Sequence, residues 1–378
     1  MKSLKTRLFV TALLLCFGAK AQQPYSGNLT ETDVRKVTTS VMRWQMAHFD
    51  KMNDIRVHKQ SDLTWANGVF LGALAEWADF AGDKEGIKFC REVAKRNYNQ
   101  PAPNRMYHAD DIIVSMMYAA LYAQDPKPNI IQPTIARLDF QVNYPATVSL
   151  VFGTPNAQDR WNWCDALYMA PPVFMRFAKI TGNQRYIDHA DSEFWATTDF
   201  LYDPSEKLFY RDSRYFDQRE ANGKKIFWGR GNGWVVGGLA WILEYLPKEH
   251  PSRPRYEALL KDMCAKLVSL QDHDGYWHPS LLDPESYHMP ETSGTGLNIF
   301  ALWWGINHKI LDAEKYMPAA EKGWKALVRA VDAEGKLGWV QPIGADPKVT
   351  TADMTEVYGA GAMMLAAKQV MLYLQGNQ

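Results

Sequence analysis

Six times along this chain a cluster of Gly, Asp, Thr, Ser or Trp is followed by an apolar stretch of helical length. The clusters are Trp65-Ala66-Asn67-Gly68, His108-Ala109-Asp110-Asp111, Trp161-Asn162-Trp163-Cys164-Asp165, Gly229-Arg230-Gly231-Asn232-Gly233-Trp234, Glu291-Thr292-Ser293-Gly294-Thr295-Gly296 and Thr355-Glu356-Val357-Tyr358-Gly359. The intervals hold two helices and two loops each, the mark of repeated helical hairpins. Between the apolar stretches lie amphipathic ones; residues 84–98 set Ile87, Phe89, Cys90 and Val93 against Lys88, Arg91, Glu92 and Lys95. A helix apolar on every face is buried, and one with a single apolar stripe lies outside it. Inner helices are expected over 65–80, 111–123, 165–180, 234–246, 296–310 and 359–374. Outer helices are expected over 31–52, 84–98, 129–141, 184–200, 254–271 and 313–332. An open stack leaves uncapped ends, whereas six pairs closed into a ring leave none. The expected fold is all-α, an (α/α)6 barrel of six inner and six outer helices filling residues 22–378. In such a ring the polar, aromatic-rich N-termini of the inner helices converge on one mouth. Three long connections, 140–162, 201–227 and 272–290, lead into that mouth, and loops of this length usually carry function.

The first 21 residues have the order of a secretory signal: Lys2, Lys5 and Arg7, then an apolar run from Leu8 to Phe17, then Ala19-Lys20-Ala21. The run is too short to span a bilayer. Export to a periplasm is the expectation. Lipidation at Cys16 fits less well, because bulky Leu13-Leu14-Leu15 precede it. No later apolar run reads as a membrane span. Basic and acidic side chains balance at 42 each, with no basic block, which argues against a nucleic-acid surface. Cys90, Cys164 and Cys264 are far apart and odd in number, so neither a disulfide framework nor a metal spacing is present. Fourteen Trp exceed what most cores need and suit flat ligands such as sugar rings.

Asp165 is the leading catalytic candidate. It sits in a strongly apolar, aromatic stretch at a helix start, where burial raises a carboxyl pKa and the helix N-terminus lowers it. A carboxyl held between those pulls can act as acid and as base; the alternative is a simple N-cap. Asp110 and Asp111 open another inner helix, and adjacent positions diverge, so only one of them can reach a ligand. Two carboxylates from different helices facing one site is a glycosidase arrangement. In Trp228-Gly229-Arg230-Gly231-Asn232-Gly233-Trp234, alternate glycines allow close approach, and Arg230 between two Trp offers a fork for a carboxylate. Glu291, Asp353 and Glu356 read as caps. His108, His278 and His288 are not spaced as metal ligands.

These segments together resemble the unsaturated glucuronyl and rhamnogalacturonyl hydrolases of glycoside hydrolase families 88 and 105, more closely 105. The resemblance runs through Trp65 to Gly68, Asp110-Asp111, Trp163 to Pro172, Trp228 to Trp234, Ser293-Gly294-Thr295 and Thr355 to Gly359. It implies hydration of a terminal 4,5-unsaturated uronic acid on oligosaccharides left by lyases, most readily rhamnogalacturonan fragments, with no metal or cofactor. It implies Asp165 as the acid–base and Asp111 as the second acid. Trp65, Asp110, Trp163, Arg211, Trp228, Arg230 and Trp234 fall at substrate-contacting positions. Arg211 stands where some members have His. The acidic oligosaccharide is the expected partner, with the protein a monomer or weak dimer. A conventional two-carboxylate glycosidase, a sugar epimerase and a non-catalytic sugar-binding protein are the rival readings.

Overall fold

The structure, a computed structural model, describes residues 23–56 and 58–376. The expected leader at 1–21 lies outside the described residues. In chain order, α1 (Glu31–His48) is outer, α2 (Trp65–Ala81) inner, α3 (Lys84–Arg96) outer, α4 (Ser115–Gln124) inner and α5 (Pro128–Asn143) outer. α6 (Ala166–Met169) is one turn that Pro171 separates from inner α7 (Pro171–Thr181). Then α8 (Gln184–Leu201), α10 (Arg253–Ser269) and α12 (Ala313–Arg329) are outer, and α9 (Gly229–Tyr245), α11 (Thr292–Asn307) and α13 (Val357–Gly376) inner.

Packing follows the sequence pattern. The inner helices form a closed circuit: α2 packs on α4, α4 on α7, α7 on α9, α9 on α11, α11 on α13, and α13 back on α2. Each outer helix covers an inner one, α3 on α2, α5 on α4, α8 on α7, α10 on α9 and α12 on α11, while α1 covers α13 and so joins the two ends of the chain. Every residue of α9 from Gly229 to Leu243 is buried, as an inner helix requires. α13 is long and apolar enough by composition to cross a membrane. That differs from the sequence expectation; here its apolar surface is taken up by α11, α2 and α1.

Away from the mouth the ring is tied by ions. Arg176 of α7 pairs with Glu76 of α2 at 2.7 Å and donates to the Met116 carbonyl of α4 at 3.1 Å, and Lys368 of α13 reaches Glu76 at 2.6 Å. Burial pushes the Glu76 carboxyl up, but the two cations outweigh it and hold it down to about 2. Four inner helices are thereby joined through one carboxylate and one guanidinium.

One element begins earlier than expected. α9 starts at Gly229, not Trp234, so the Gly-Arg-Gly-Asn-Gly segment is its first turn. Its glycines serve helix packing more than ligand approach: a Cβ on Gly231 would lie 2.8 Å from the Trp228 ring and 3.1 Å from Cys164 Sγ.

Candidate active site

The inner-helix N-termini meet at one mouth, where Asp165 occupies the entry to α6. Its side chain makes no capping hydrogen bond, which removes the N-cap alternative. The residue is 8% exposed. The Arg211 guanidinium approaches it, Nε to Oδ2 at 3.5 Å, and the Cys164 thiol donates to the same oxygen at 3.5 Å. Burial raises the Asp165 carboxyl above its ordinary value, against the opposing pull of Arg211 and Arg230. A carboxyl raised by burial and set against arginines is suited to give a proton and take one back.

The 109–111 turn packs against α6, which brings Asp110 near enough to Asp165 to feel its charge. Burial, and next the negative charge of Asp165, push its carboxyl up to about 7. Asp111, expected as the second catalytic acid, is held in a clamp with Arg105, which donates from its backbone N–H at 3.0 Å, Nε at 3.2 Å and Nη2 at 2.5 Å. The two acids sit on a single 3-10 turn, 109–111, whose adjacent side chains diverge. Asp111 fixes the 102–111 loop, and its carbonyl accepts from Ala102 N–H at 2.8 Å. The Asp110 carboxylate lies 3.8 Å from His108 Nδ1. His108 caps this turn, its Nδ1 accepting from Asp110 N–H at 3.3 Å, and its ring lies against Trp163 at 4.7 Å. Burial, then Arg105 and Arg211, depress the imidazole to about 3, so it is neutral.

Arg211 is itself held. Asp212, wholly buried, accepts from Arg211 Nη1 at 2.7 Å and from Arg214 Nε and Nη2 at 2.9 and 2.8 Å. The Arg211 carbonyl accepts from Cys164 N–H at 2.8 Å, which locks this loop to the Asp165 segment. Asn232 in α9 pins the same loop from below through both backbone groups of Phe209.

An aromatic wall closes the opposite side. Trp65 stacks on Tyr358 at 5.1 Å, and Trp234 meets both edge-on at 6.1 Å. Trp65 keeps some exposed surface, whereas Trp163, Trp228 and Trp234 are packed among neighbours. Arg230 is not the free fork expected from sequence. It is completely buried, lies between the Trp228 and Tyr358 rings at 4.5 and 4.9 Å, and donates to the carbonyls of Gln341 at 2.5 Å and Pro342 at 2.9 Å. Its charge reaches Asp165 through space while its hydrogen bonds hold the 341–342 loop.

The three acids read as caps divide. Glu291 caps α11 through Ser293 and Gly294 N–H. Glu356 pairs with Arg56 at 2.7 Å, and Asp353 is exposed. His278 is bonded to the Met289 carbonyl and Asp272, outside this cluster. Among the described residues no three His, Cys, Asp or Glu side chains come together as a metal would need. Sequence reasoning missed Arg105, Asp212 and Tyr358 as site builders. Tyr358 stood in a noted segment, and Asp212-Ser213-Arg214 is a local capping pattern; Arg105 carried no signal.

Comparison with known proteins bears on the family and the fold. The family model described as Glycosyl Hydrolase Family 88 matches residues 37–374. A curated relative from Alteromonas sp. (strain LOR), named unsaturated 3S-rhamnoglycuronyl hydrolase, is 36% identical over 91% of this chain and 87% of its own length. A protein of the same name from Formosa agariphila is 36% identical over 91% and 92%. A solved family 88 structure from Bacteroides vulgatus superposes with TM-score 0.80 at 30% identity, covering 91% of this chain and 99% of its own. A structure described as a polysaccharide lyase gives TM-score 0.79 at 29% identity, covering 90% and 98%. A family 105 structure from C. acetobutylicum, at 22% identity, TM-score 0.71 and coverage of 88% and 99%, shares the fold. Ring, mouth and family match extend over nearly the whole described chain: the protein is a glycoside hydrolase and belongs to glycosyl hydrolase family 88.

Proposed function

We propose that the protein releases the terminal 4,5-unsaturated uronic acid from lyase-generated oligosaccharides by hydrating its C4=C5 bond. The observation that carries this reading is the neighbouring pair Asp165 and Asp110, both raised by burial, in a mouth with Arg211 against Asp165. The protonated Asp165 gives its proton to C4, and positive charge develops at C5 and the ring oxygen. Water adds at C5 and passes a proton back to the Asp165 carboxylate. The resulting hemiketal opens by breaking the C5–ring oxygen bond, which leaves a ketone at C5. The hemiacetal exposed at C1 then expels the attached sugar as its alcohol. Asp110 and Asp165 share one proton between them, since two buried like charges resist joint ionisation. Arg211 steadies the carboxylate after transfer. Trp65 supplies the stacking face for the ring.

The names of the two 36% relatives support a rhamnose-linked unsaturated glycuronyl unit ahead of the rhamnogalacturonan fragments expected from sequence. A Bacillus subtilis relative named for rhamnogalacturonyl substrates matches at 30% over 47% of the chain. The order of residues 1–21 supports export to the periplasm, and we keep the monomer or weak dimer as part of the proposal. The test follows the ultraviolet absorbance of the double bond in lyase digests of ulvan, rhamnogalacturonan, homogalacturonan and glycosaminoglycans. A fall in the ulvan or rhamnogalacturonan digest supports the reading. A rise with intact polysaccharide marks a lyase instead, as the likeness to the structure described as one would have it.

A further inference from the structure

Two arginines of this region meet their aspartates in opposite ways. Arg105 closes on Asp111 with three donors, the nearest at 2.5 Å. Arg211 comes only to 3.5 Å from Asp165 Oδ2, beyond an ordinary N–H···O hydrogen bond. The approaching Nε is buried and has no hydrogen-bond partner among the described residues. A buried guanidinium N–H beside a carboxyl gains by closing such a gap, so something must hold it off. The hold is Asp212, which takes Arg211 Nη1 at 2.7 Å. Among the described residues no other group accepts a hydrogen bond from the Arg211 side chain.

Asp212 is a fixed point. It is wholly buried. Its Oδ1 accepts from the Arg214 backbone N–H at 3.0 Å and Nε at 2.9 Å, and its Oδ2 accepts from Arg214 Nη2 at 2.8 Å as well as from Arg211. The turn that it caps is tied to the 140–162 connection: Ser213 Oγ accepts from Phe152 N–H at 2.9 Å, and Arg214 lies on the Phe152 ring at 3.7 Å. Burial alone would raise the Asp212 carboxyl, but the hydrogen bonds from Arg214 and Arg211 outweigh it and lower it, so the anchor is an anion. One carboxylate shared by two guanidinium groups leaves one positive charge over, and that excess stands beside Asp165. The other groups that face Asp165 are Arg230 from α9, Asp110 from the 109–111 turn and the Cys164 thiol next to it. Tyr215 and the neutral His108 complete the surroundings of Arg211 and Asp212.

Resting on the hydrolase reading above, we propose that Asp212 is a positioning residue for the hydration step: it anchors Arg211 a short gap away from Asp165, so that the guanidinium lends its charge without clamping the carboxyl that must give a proton to C4. The test is the pH dependence of kcat/KM, read from the ultraviolet absorbance of an unsaturated uronyl–rhamnose disaccharide. It compares wild type, Asp212→Asn and Arg214→Gln, each shown folded by circular dichroism. The alkaline limb of that profile belongs to the Asp165–Asp110 pair. Asp212→Asn frees Arg211 to close on Asp165, which favours the carboxylate. The limb should move to lower pH by about one unit, with the rate lost near neutrality returning at acid pH. Arg214, whose side chain is 45% exposed, can be replaced with little strain. Arg214→Gln leaves Asp212 to Arg211 alone and removes a nearby cation, so the limb should move the other way, to higher pH. A merely structural role would lower the rate at every pH and leave the limb in place. An unmoved limb in folded Asp212→Asn, or shifts of the same sign in both variants, overturns the positioning role. If Asp212→Asn does not fold, Arg214→Gln decides alone, and a limb that stays or falls overturns the role. No loss of absorbance with the wild type at any pH overturns the hydrolase reading instead, and the positioning role with it.

Discussion

Asp110 and Asp111 are chemically identical neighbours in different surroundings, and Arg105 separates them. Its three donors engage Asp111, while Asp110 feels the charge of Asp165. Asp111→Asn should therefore lower Tm with a modest change in kcat, and Asp110→Asn should lower kcat by about 100-fold or more, as loss of a positioned acid does. Stability gives a second readout with a definite sign. The Asp110 carboxyl is raised from 3.8 to about 7, so its favourable contribution holds below pH 4 and is lost as pH rises through about 7. Asp110→Asn should raise Tm at pH 8 and leave it nearly unchanged at pH 4, measured by calorimetry. A Tm that falls equally at both values would show that Asp110 is structural. kcat/KM of the wild type should decline on the alkaline side as the shared proton leaves the pair. At this scale the burial of Asp165 at an inner-helix entry was legible in the sequence, because the stretch around it is so apolar. The different partners of 110 and 111 were not, since they are set by Arg105, which gave no signal, on one 3-10 turn. Arg230 misled in the same way: flanking Trp suggested a ligand fork, but Gln341 and Pro342, over a hundred residues later, take its hydrogen bonds.

Helices were legible where burial periodicity was strong, and their ends less so. The inner stretches stood out because they are apolar all round, and the outer ones because they carry a stripe. The start of α9 was missed by five residues because the alternate glycines read as backbone for close ligand approach. In the structure they are where neighbouring helices come close. Gly238, in the same helix, shows the constraint: a Cβ there would sit 2.5 Å from the Leu167 carbonyl oxygen of α6. Gly238→Ala should cost about 1–3 kcal/mol by overpacking, and the shift of α6 should also lower kcat because α6 begins beside Asp165. Urea unfolding together with single-substrate kinetics checks both. Full stability in this variant would mean that α6 and α9 have slack that the packing does not show.

The ring as a whole joins two ends with different work. The mouth concentrates carboxyls and cations around Asp165, and the far end is tied by the Glu76–Arg176–Lys368 network. Closure was foreseeable from six inner–outer pairs, but this network was not, since its members come from helices about a hundred residues or more apart in sequence. Arg176→Ala leaves Glu76 with Lys368 as its remaining cation and should cost about 1.5–3 kcal/mol. At a temperature where the variant is folded its kcat should match the wild type, because nothing in the network approaches the mouth. The central claim is that Asp165 drives hydration of the double bond. The most direct test is the ultraviolet absorbance of an unsaturated uronyl–rhamnose oligosaccharide, followed with wild type and Asp165→Asn side by side and both shown folded by circular dichroism. The account predicts a steady fall with the wild type and a rate lower by about 1,000-fold or more in the variant. A fall of equal rate in both proteins, or saturated sugar released while the absorbance holds, would contradict it.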